Sequence, residues 1–211
     1  MQNILVRKGR PEDADHFSEL VILTSPHLMP TLFGPKVKKL MAKLFPHRRH
    51  YYSFDRSFFV EVDGEIAGMA QLHKISMRRR EKTRLSLLLL KYLNWRLPTK
   101  IFNLLKSERM VSLVIGSDCY LSNVAVYPQF RSLGLGTKLL ERVEEEARSV
   151  GKKRIVLHAE THNTRAISLY ERLGYKIEQR SPVLKINNRR FESFKAVKPL
   201  YETSAACEVT P

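Results

Sequence analysis

Val124-Ala125-Val126-Tyr127-Pro128-Gln129-Phe130-Arg131-Ser132-Leu133-Gly134-Leu135-Gly136-Thr137 is the stretch of this 211-residue sequence on which the fold turns. It joins an apolar run typical of a buried strand to the start of a long helix expected over 134–150, closed by Gly151. A helix start leaves several backbone N–H groups without intrahelical partners and carries partial positive charge. Glycines let a backbone come close to a ligand, so Arg131-x-x-Gly134-x-Gly136 offers a cradle for a pyrophosphate, which a Cβ at either glycine would crowd. A tight strand-to-helix turn with no ligand would use the same residues. The Gly-Lys-Ser/Thr ending of a nucleotide P-loop is missing, and Leu139 stands where a dinucleotide fingerprint has its third glycine.

Outward from this stretch, residues 3–8 alternate around Ile4 and Val6 and meet Pro11-Glu12-Asp13, which predicts a strand followed by a helix with an acidic first turn. Val37, Leu40, Met41 and Leu44 recur at helical spacing up to Pro46. Residues 58–62 and 66–73 flank Asp63-Gly64 and predict a hairpin with a two-residue turn. Strands are expected at 121–126, 154–159, 175–178 and 191–197, with a short helix at 164–173. Two strands followed by a strand-helix-strand-helix-strand series imply an α/β mixed sheet with a parallel centre and helices on both faces. Residues 1–200 form one domain in this reading, and 201–211 a frayed tail.

The second informative stretch is Asn163-Thr164-Arg165-Ala166-Ile167-Ser168-Leu169-Tyr170-Glu171-Arg172-Leu173-Gly174-Tyr175. Asn163 can cap the helix it opens, and Tyr170, two turns on, shares its face. Together the two stretches resemble the GNAT N-acetyltransferase superfamily. The first matches its Gln/Arg-x-x-Gly-x-Gly/Ala coenzyme A signature, and the second its N-x-x-A-x-x-L-Y-x-x-x-G-Phe/Tyr motif at every fixed position. The resemblance covers residues 121–175 strongly and the first three strands in outline. It implies a mostly antiparallel central sheet whose parallel fourth and fifth strands splay to admit acetyl-CoA. Backbone amides of Ser132, Leu133, Gly134, Leu135, Gly136 and Thr137, beside Arg131, would hold the pyrophosphate. Val124, Ala125 and Val126 would bond the pantetheine arm and thioester carbonyl, and Asn163 would reach a pantetheine amide.

Acetylation of a primary amine by direct transfer needs a deprotonated nucleophile, a donor to the carbonyl oxygen and a proton for the leaving sulfur, and requires no metal. Val126 N–H is the candidate donor if the strand bulges there. Tyr170, an ordinary phenol of pKa about 10, is the candidate acid. His158, twelve residues before Tyr170, is the candidate base, where some family members have a Glu; Glu160 and His73 are alternatives. An imidazole near its usual pKa would place an acidic limb at about pH 6–7. A protein N-terminus, a lysine and a small-molecule amine all remain open as acceptors.

The balance of 37 Lys+Arg over 21 Asp+Glu gives +16, a field that favours anionic partners. Residues 77–106, between the third and fourth strands, are basic and expected to form two short helices divided at Pro98. This insertion could contact a ribosome, nucleic acid or lipid surface, mediate a homodimer, or cover the acceptor side of the cleft. A non-catalytic coenzyme A-binding, nucleic-acid-binding or membrane-surface domain on the same fold is the rival reading. Two cysteines, Cys119 and Cys207, do not make a disulfide framework, and without a secretory signal or an apolar run long enough to span a bilayer a cytoplasmic protein is expected.

Overall fold

The computed structural model describes residues 2–74, 79–93, 118–186 and 188–201. Strand β1 (Ile4–Lys8) is followed by helices α1 (Ala14–Thr24), α2 (Leu28–Phe33) and α3 (Val37–Leu44), then by β2 (Ser57–Val62) and β3 (Glu65–His73). Helix α4 (Arg79–Leu93), β4 (Asp118–Val126), α5 (Leu135–Ser149), β5 (Arg154–Glu160) and α6 (Thr164–Arg172) come next. The chain finishes with β6 (Lys176–Arg180), β7 (Leu184–Ile186), β8 (Arg189–Phe191) and β9 (Ser193–Pro199). The main sheet runs β1-β2-β3-β4-β5-β9-β6, and β4 with β5 is its parallel pair. A second, two-stranded sheet is the β7–β8 hairpin.

Local chemistry accounts for most of these elements. Asp63 and Gly64 both have positive φ, 51° and 87°, between the facing residues Val62 and Glu65, as a two-residue hairpin turn requires. Leu139, Leu140, Val143 and Ala147, on one side of α5, are buried in a cluster with Phe58, Val60, Ala70 and Leu72 of β2 and β3. On the opposite face, Phe17, Leu20, Leu40, Met41 and Phe45 form the second cluster, with Phe17 and Phe45 stacked at 4.2 Å. Helices α1 to α4 thus cover one face of the sheet and α5 and α6 the other.

Several expectations shift. The fourth strand starts at Asp118 rather than 121, because buried Asp118 pairs with Arg154 (2.9 Å) at the end of the parallel ladder. The strand expected over 175–178 is β6, and that over 191–197 divides at Glu192 into β8 and β9. Helix α2 and strand β7 had no periodic signal because each is too short to show one. Of the basic insertion, α4 is described and docks through buried Leu85 and Leu89 on the cluster of α1 and α3. The break at Pro98, Cys207 and the 202–211 tail lie outside the described residues. No helix among the described residues is long and apolar enough to cross a membrane.

Gly68 of β3 faces Val126 of β4, and a Cβ there would meet Ala125 O at 2.6 Å and Val126 Cα at 3.1 Å. The strands reach this separation only without a side chain. Gly68→Ala is expected to destabilise the fold by about 1–3 kcal/mol and to displace Val126, read as a lower Tm together with weakened acetyl-CoA binding. A variant unchanged in both would show that β4 can yield without consequence.

Candidate active site

β4 and β5 pair only from Asp118–Leu121 against Arg154–Leu157. Beyond that point β4 stays bonded to β3 as far as Val126, and β5 to β9 as far as Glu160, so the two strands part while each is held by its outer neighbour. The cause is one extra residue. Leu72 faces Leu121 and Gln71 faces Asn123, which leaves Ser122 unmatched as a bulge that turns β4 away. The bulge is therefore at Ser122 and not at Val126, which sits in register opposite Gly68. Tyr127 N–H donates to Ala67 O (2.9 Å) on the β3 side. Because successive N–H groups in a strand point to opposite sides, Ala125 also turns to β3, whereas Val124 and Val126 turn theirs into the gap. Of the three strand residues expected to bond a pantetheine, Val124 and Val126 are oriented for it and Ala125 is not.

The bulge is locked by side chains that no local sequence pattern marks. Arg56 Nη1 lies 3.0 Å from His73 Nδ1, and a guanidinium only donates, so Nδ1 accepts and His73 carries its proton on Nε2. Nε2–H then donates to Ser122 Oγ (2.9 Å), which also accepts from Asn123 Nδ2 (3.0 Å) and donates to Gln71 (3.3 Å). Asn123 Nδ2 donates to Gln71 Oε1 as well (2.9 Å), and the Thr24 hydroxyl lies 3.0 Å from Asn123 Oδ1. Burial and the Arg56 charge hold the His73 imidazole well below its usual range. With Nδ1 occupied by a cation, His73 is a fixed strut and not the base that its place near the end of β3 suggested.

On the α5 face the loop 131–134 is exposed, with Ser132 at φ 69° and Gly134 at φ 73°. Gly134 caps α5 with no side-chain hydrogen bond, so the first-turn N–H groups of Leu135, Gly136 and Thr137 open to this side. A Cβ at Gly134 would meet nothing within 4 Å, which leaves room for a phosphate against the amides, whereas one at Gly136 would come within 2.9 Å of Leu169 Cδ2. Gly136 therefore also serves the close packing of α5 on α6. Arg165 Nη2 donates to Ser132 Oγ (3.1 Å), tying the first turn of α6 to the loop, and exposed Arg131 folds back with Nε 3.4 Å from Val126 O. Leu133 is exposed at the loop tip. Asn163 Oδ1 accepts from Ala166 N (3.2 Å) as the cap of α6, which leaves its Nδ2 as what it could offer a ligand. These groups suit a pyrophosphate-bearing substrate.

Tyr170 packs on the same cluster as Leu121, Leu157 and Ala159, the residues at which the strands part, and its ring lies 5.7 Å from that of Tyr175. Burial pushes its phenol up to about 12, so it holds its proton at neutral pH. His158 projects to the opposite face, its Nδ1 3.3 Å from the hydroxyl of Tyr120. Its buried Nε2 has no hydrogen-bond partner among the described residues. Burial, aided by Lys195, pushes this imidazole down to about 4, which overturns the expectation of an unperturbed group. Glu160, on the His158 side by alternation, holds His162 through Oε2 (3.2 Å), while its Oε1 is buried without a partner among the described residues. Tyr120 and Ser122 were missed in the sequence because the cross-strand pairings that give them their roles have no local signature.

An acidic limb from His158 in the free enzyme therefore belongs near pH 4. His158→Ala is expected to lower kcat/KM by about 10²-fold while any limb near neutrality persists and follows the acceptor amine's own pKa. Loss of a limb at pH 6–7 in the variant, with acceptors of different pKa compared, would contradict the depressed imidazole.

A model of the acetyltransferase (GNAT) family matches residues 26–175. An N-alpha-acetyltransferase of Sulfurisphaera tokodaii is 28% identical over 173 residues, covering 81% of this chain and 79% of that protein. The [ribosomal protein bS18]-alanine N-acetyltransferase of Salmonella typhimurium is 37% identical over 65 residues, 31% of this chain and 44% of that protein. The chain spans well under half the length of the first curated relatives it matches, 37% and 35% for those of Bacillus subtilis and mouse. Among solved structures, an acetyltransferase superposes with TM-score 0.66 at 21% identity, covering 93% of this chain and all of that one. The acetyltransferase yncA from Salmonella typhimurium, solved with acetyl-CoA, gives 0.58 at 18% identity, covering 97% and 99%.

Proposed function

The chain belongs to the acetyltransferase (GNAT) family, and from that premise we propose that it transfers the acetyl group of acetyl-CoA directly to a primary amine. The observation that carries this reading is the gap between β4 and β5, with Tyr170 and the α5 start on one face and His158 on the other. Two substrates can meet there from opposite sides, which supplies proximity without a covalent enzyme intermediate.

Acetyl-CoA brings the activated acyl group, and this chain's residues position and move protons. The first-turn amides of α5 receive the pyrophosphate, and the inward groups of Val124 and Val126 take the pantetheine as an added strand edge, with Val126 N–H as donor to the carbonyl oxygen. Tyr170 gives its proton to the departing sulfur; the dry setting that raises the phenol raises the thiolate as well, since both are buried anions. When Nδ1–H of His158 donates to Tyr120, the lone pair of its buried Nε2, unpartnered among the described residues, can take the amine proton. Peptide α-amines are the first acceptors to try, because two relatives are named for α-amino or alanine acetylation. Lysine side chains and small-molecule amines complete the panel.

The test is thiolate release from acetyl-CoA against that panel. Amine-dependent release supports the enzyme; tight coenzyme A binding with no release for any amine would favour a non-catalytic binding domain.

A further inference from the structure

On the face covered by α1 to α4, the turn between α3 and β2 and the helix α4 border an open concavity of about 460 Å³. Arg48, Arg49, Arg84 and His47 line it together with Pro46 and Phe54, and no carboxylate does. Several other arginines are ion-paired: Arg7 with Asp13 and Glu61, Arg56 with Glu81, Arg142 with Glu146, Arg148 with Glu144, and Arg154 with Asp118. Arg48, Arg49 and Arg84 make no ion pair among the described residues. Three like charges around one hollow repel each other, and no carboxylate among its lining residues offsets that repulsion. The local field already acts on His47, whose imidazole is lowered first by burial and then by Lys91 and Arg84.

Both walls are held rigidly. The turn is built on buried His50, which accepts from Tyr52 N at Nδ1 (3.2 Å) and so donates from Nε2 to Leu44 O (3.1 Å), while Ser53 Oγ donates to His50 O (2.6 Å). Arg49 is kept at φ 62°, a left-handed turn conformation unfavourable for a residue with a Cβ, which fixes the course of the backbone here. Arg48 lies over the Phe54 ring, 5.2 Å from its centroid. The opposite wall, α4, is fixed by Arg56 to Glu81 (2.6 Å), by buried Leu85 and Leu89, and by the His47–Tyr92 contact (2.9 Å). The backbone that carries the three arginines is thus fixed on both sides of the hollow, while their exposed side chains remain accessible to a ligand.

We propose that this cradle is a phosphate-binding site, separate from acetyl transfer, that takes phosphate groups borne on a polyanion. A single carboxylate cannot satisfy three guanidinium forks, whereas a phosphate offers three acceptor oxygens and more than one negative charge. The excess of +16 adds a long-range attraction that favours a chain of phosphates over an isolated ion.

The test uses the full chain with saturating acetyl-CoA, so that the loop before α5 is not available to the probe, and is repeated without acetyl-CoA so that failure of the acetyltransferase reading does not confound it. Anisotropy of a fluorescent single-stranded RNA 12-mer and calorimetry with tripolyphosphate are compared for the parent, the triple variant R48Q/R49Q/R84Q, and a control, K153Q/R172Q/K176Q, which removes the same charge from another surface. The cradle variant is expected to lose about tenfold or more in affinity, and the slope of log K against log salt to fall by about 2, as for three single-strand phosphate contacts. RNA binding lost in the cradle variant identifies nucleic-acid phosphate as the source; loss confined to tripolyphosphate identifies a small polyphosphate. Equal losses in cradle and control variants, no binding of either probe by the parent, or equally tight binding of poly-glutamate would overturn the proposal.

Discussion

Replacing Tyr170 by Phe is expected to lower kcat by about 10- to 10⁴-fold, the loss typical of a positioned acid, with acetyl-CoA affinity and Tm little changed. The ring contributes its packing against Tyr175 and the residues where the strands part, and phenylalanine keeps that packing. Only the hydroxyl is lost, and with it the proton for the departing thiolate. A group held at about 12 is protonated throughout the usual assay range, so Tyr170 itself contributes no basic limb to the free enzyme's profile below that value. The variant should therefore show a lower plateau with the shape of the profile retained, and equal loss in kcat and kcat/KM. Full activity in Tyr170→Phe, measured by single-turnover acetyl transfer, would remove Tyr170 from the proton inventory and leave the sulfur to be protonated by solvent.

Gly134→Glu is expected to weaken acetyl-CoA binding by about 10²-fold or more while the domain stays folded. Two effects are separable here. The left-handed φ of 73° disfavours any side chain, a cost of about 1 kcal/mol, and Gly134→Ala measures that alone. The glutamate adds a carboxylate in the open space beside the first-turn amides of α5, where it repels a pyrophosphate and can occupy the amides itself. Since no atom lies within 4 Å of the added Cβ, the fold should accommodate the change with a Tm drop of a few degrees. Calorimetry on the two variants should thus show Gly134→Ala near the parent and Gly134→Glu far weaker. Affinity undiminished in Gly134→Glu would place the pyrophosphate elsewhere.

The Ser122 bulge ties these expectations together, since it opens the gap that both substrates would enter. Besides the neighbouring Asn123, its supports come from three distant segments: Thr24 on α1, Gln71 and His73 on β3, and Arg56 just before β2. Arg56 also holds Glu81, so it links α4 to the gap even though that helix docks on α3. Helix α4 lies on the α1–α3 face of the sheet, the face from which the acceptor is proposed to enter. The hairpin of β7 and β8, absent from the sequence reading, sends Leu184 and Ile186 into the α1–α3 cluster and so reaches that same face from the β9–β6 end of the sheet.

By itself the sequence determined the parts whose conformation depends on neighbours along the chain. The Asn163 cap, the Asp63-Gly64 turn and the amphipathic α5 are each encoded within a few neighbouring residues or helical turns, and each is where it was expected, with Gly134 as the left-handed cap of α5 rather than its first residue. Tertiary structure alone decided what depends on pairing between remote segments. A one-residue bulge leaves no periodic trace in nine residues of β4, yet it determines which amides enter the gap. A histidine's basicity is a property of its surroundings: His158, His73 and His50 look alike in the sequence, but burial drives all three down, and only the Arg56 contact makes His73 unable to accept a proton. Charge count gave the excess of basic residues, while the folding of the 44–54 turn against α4 concentrated three of them in one hollow, because long-range packing, not sequence proximity, sets the distance between charges.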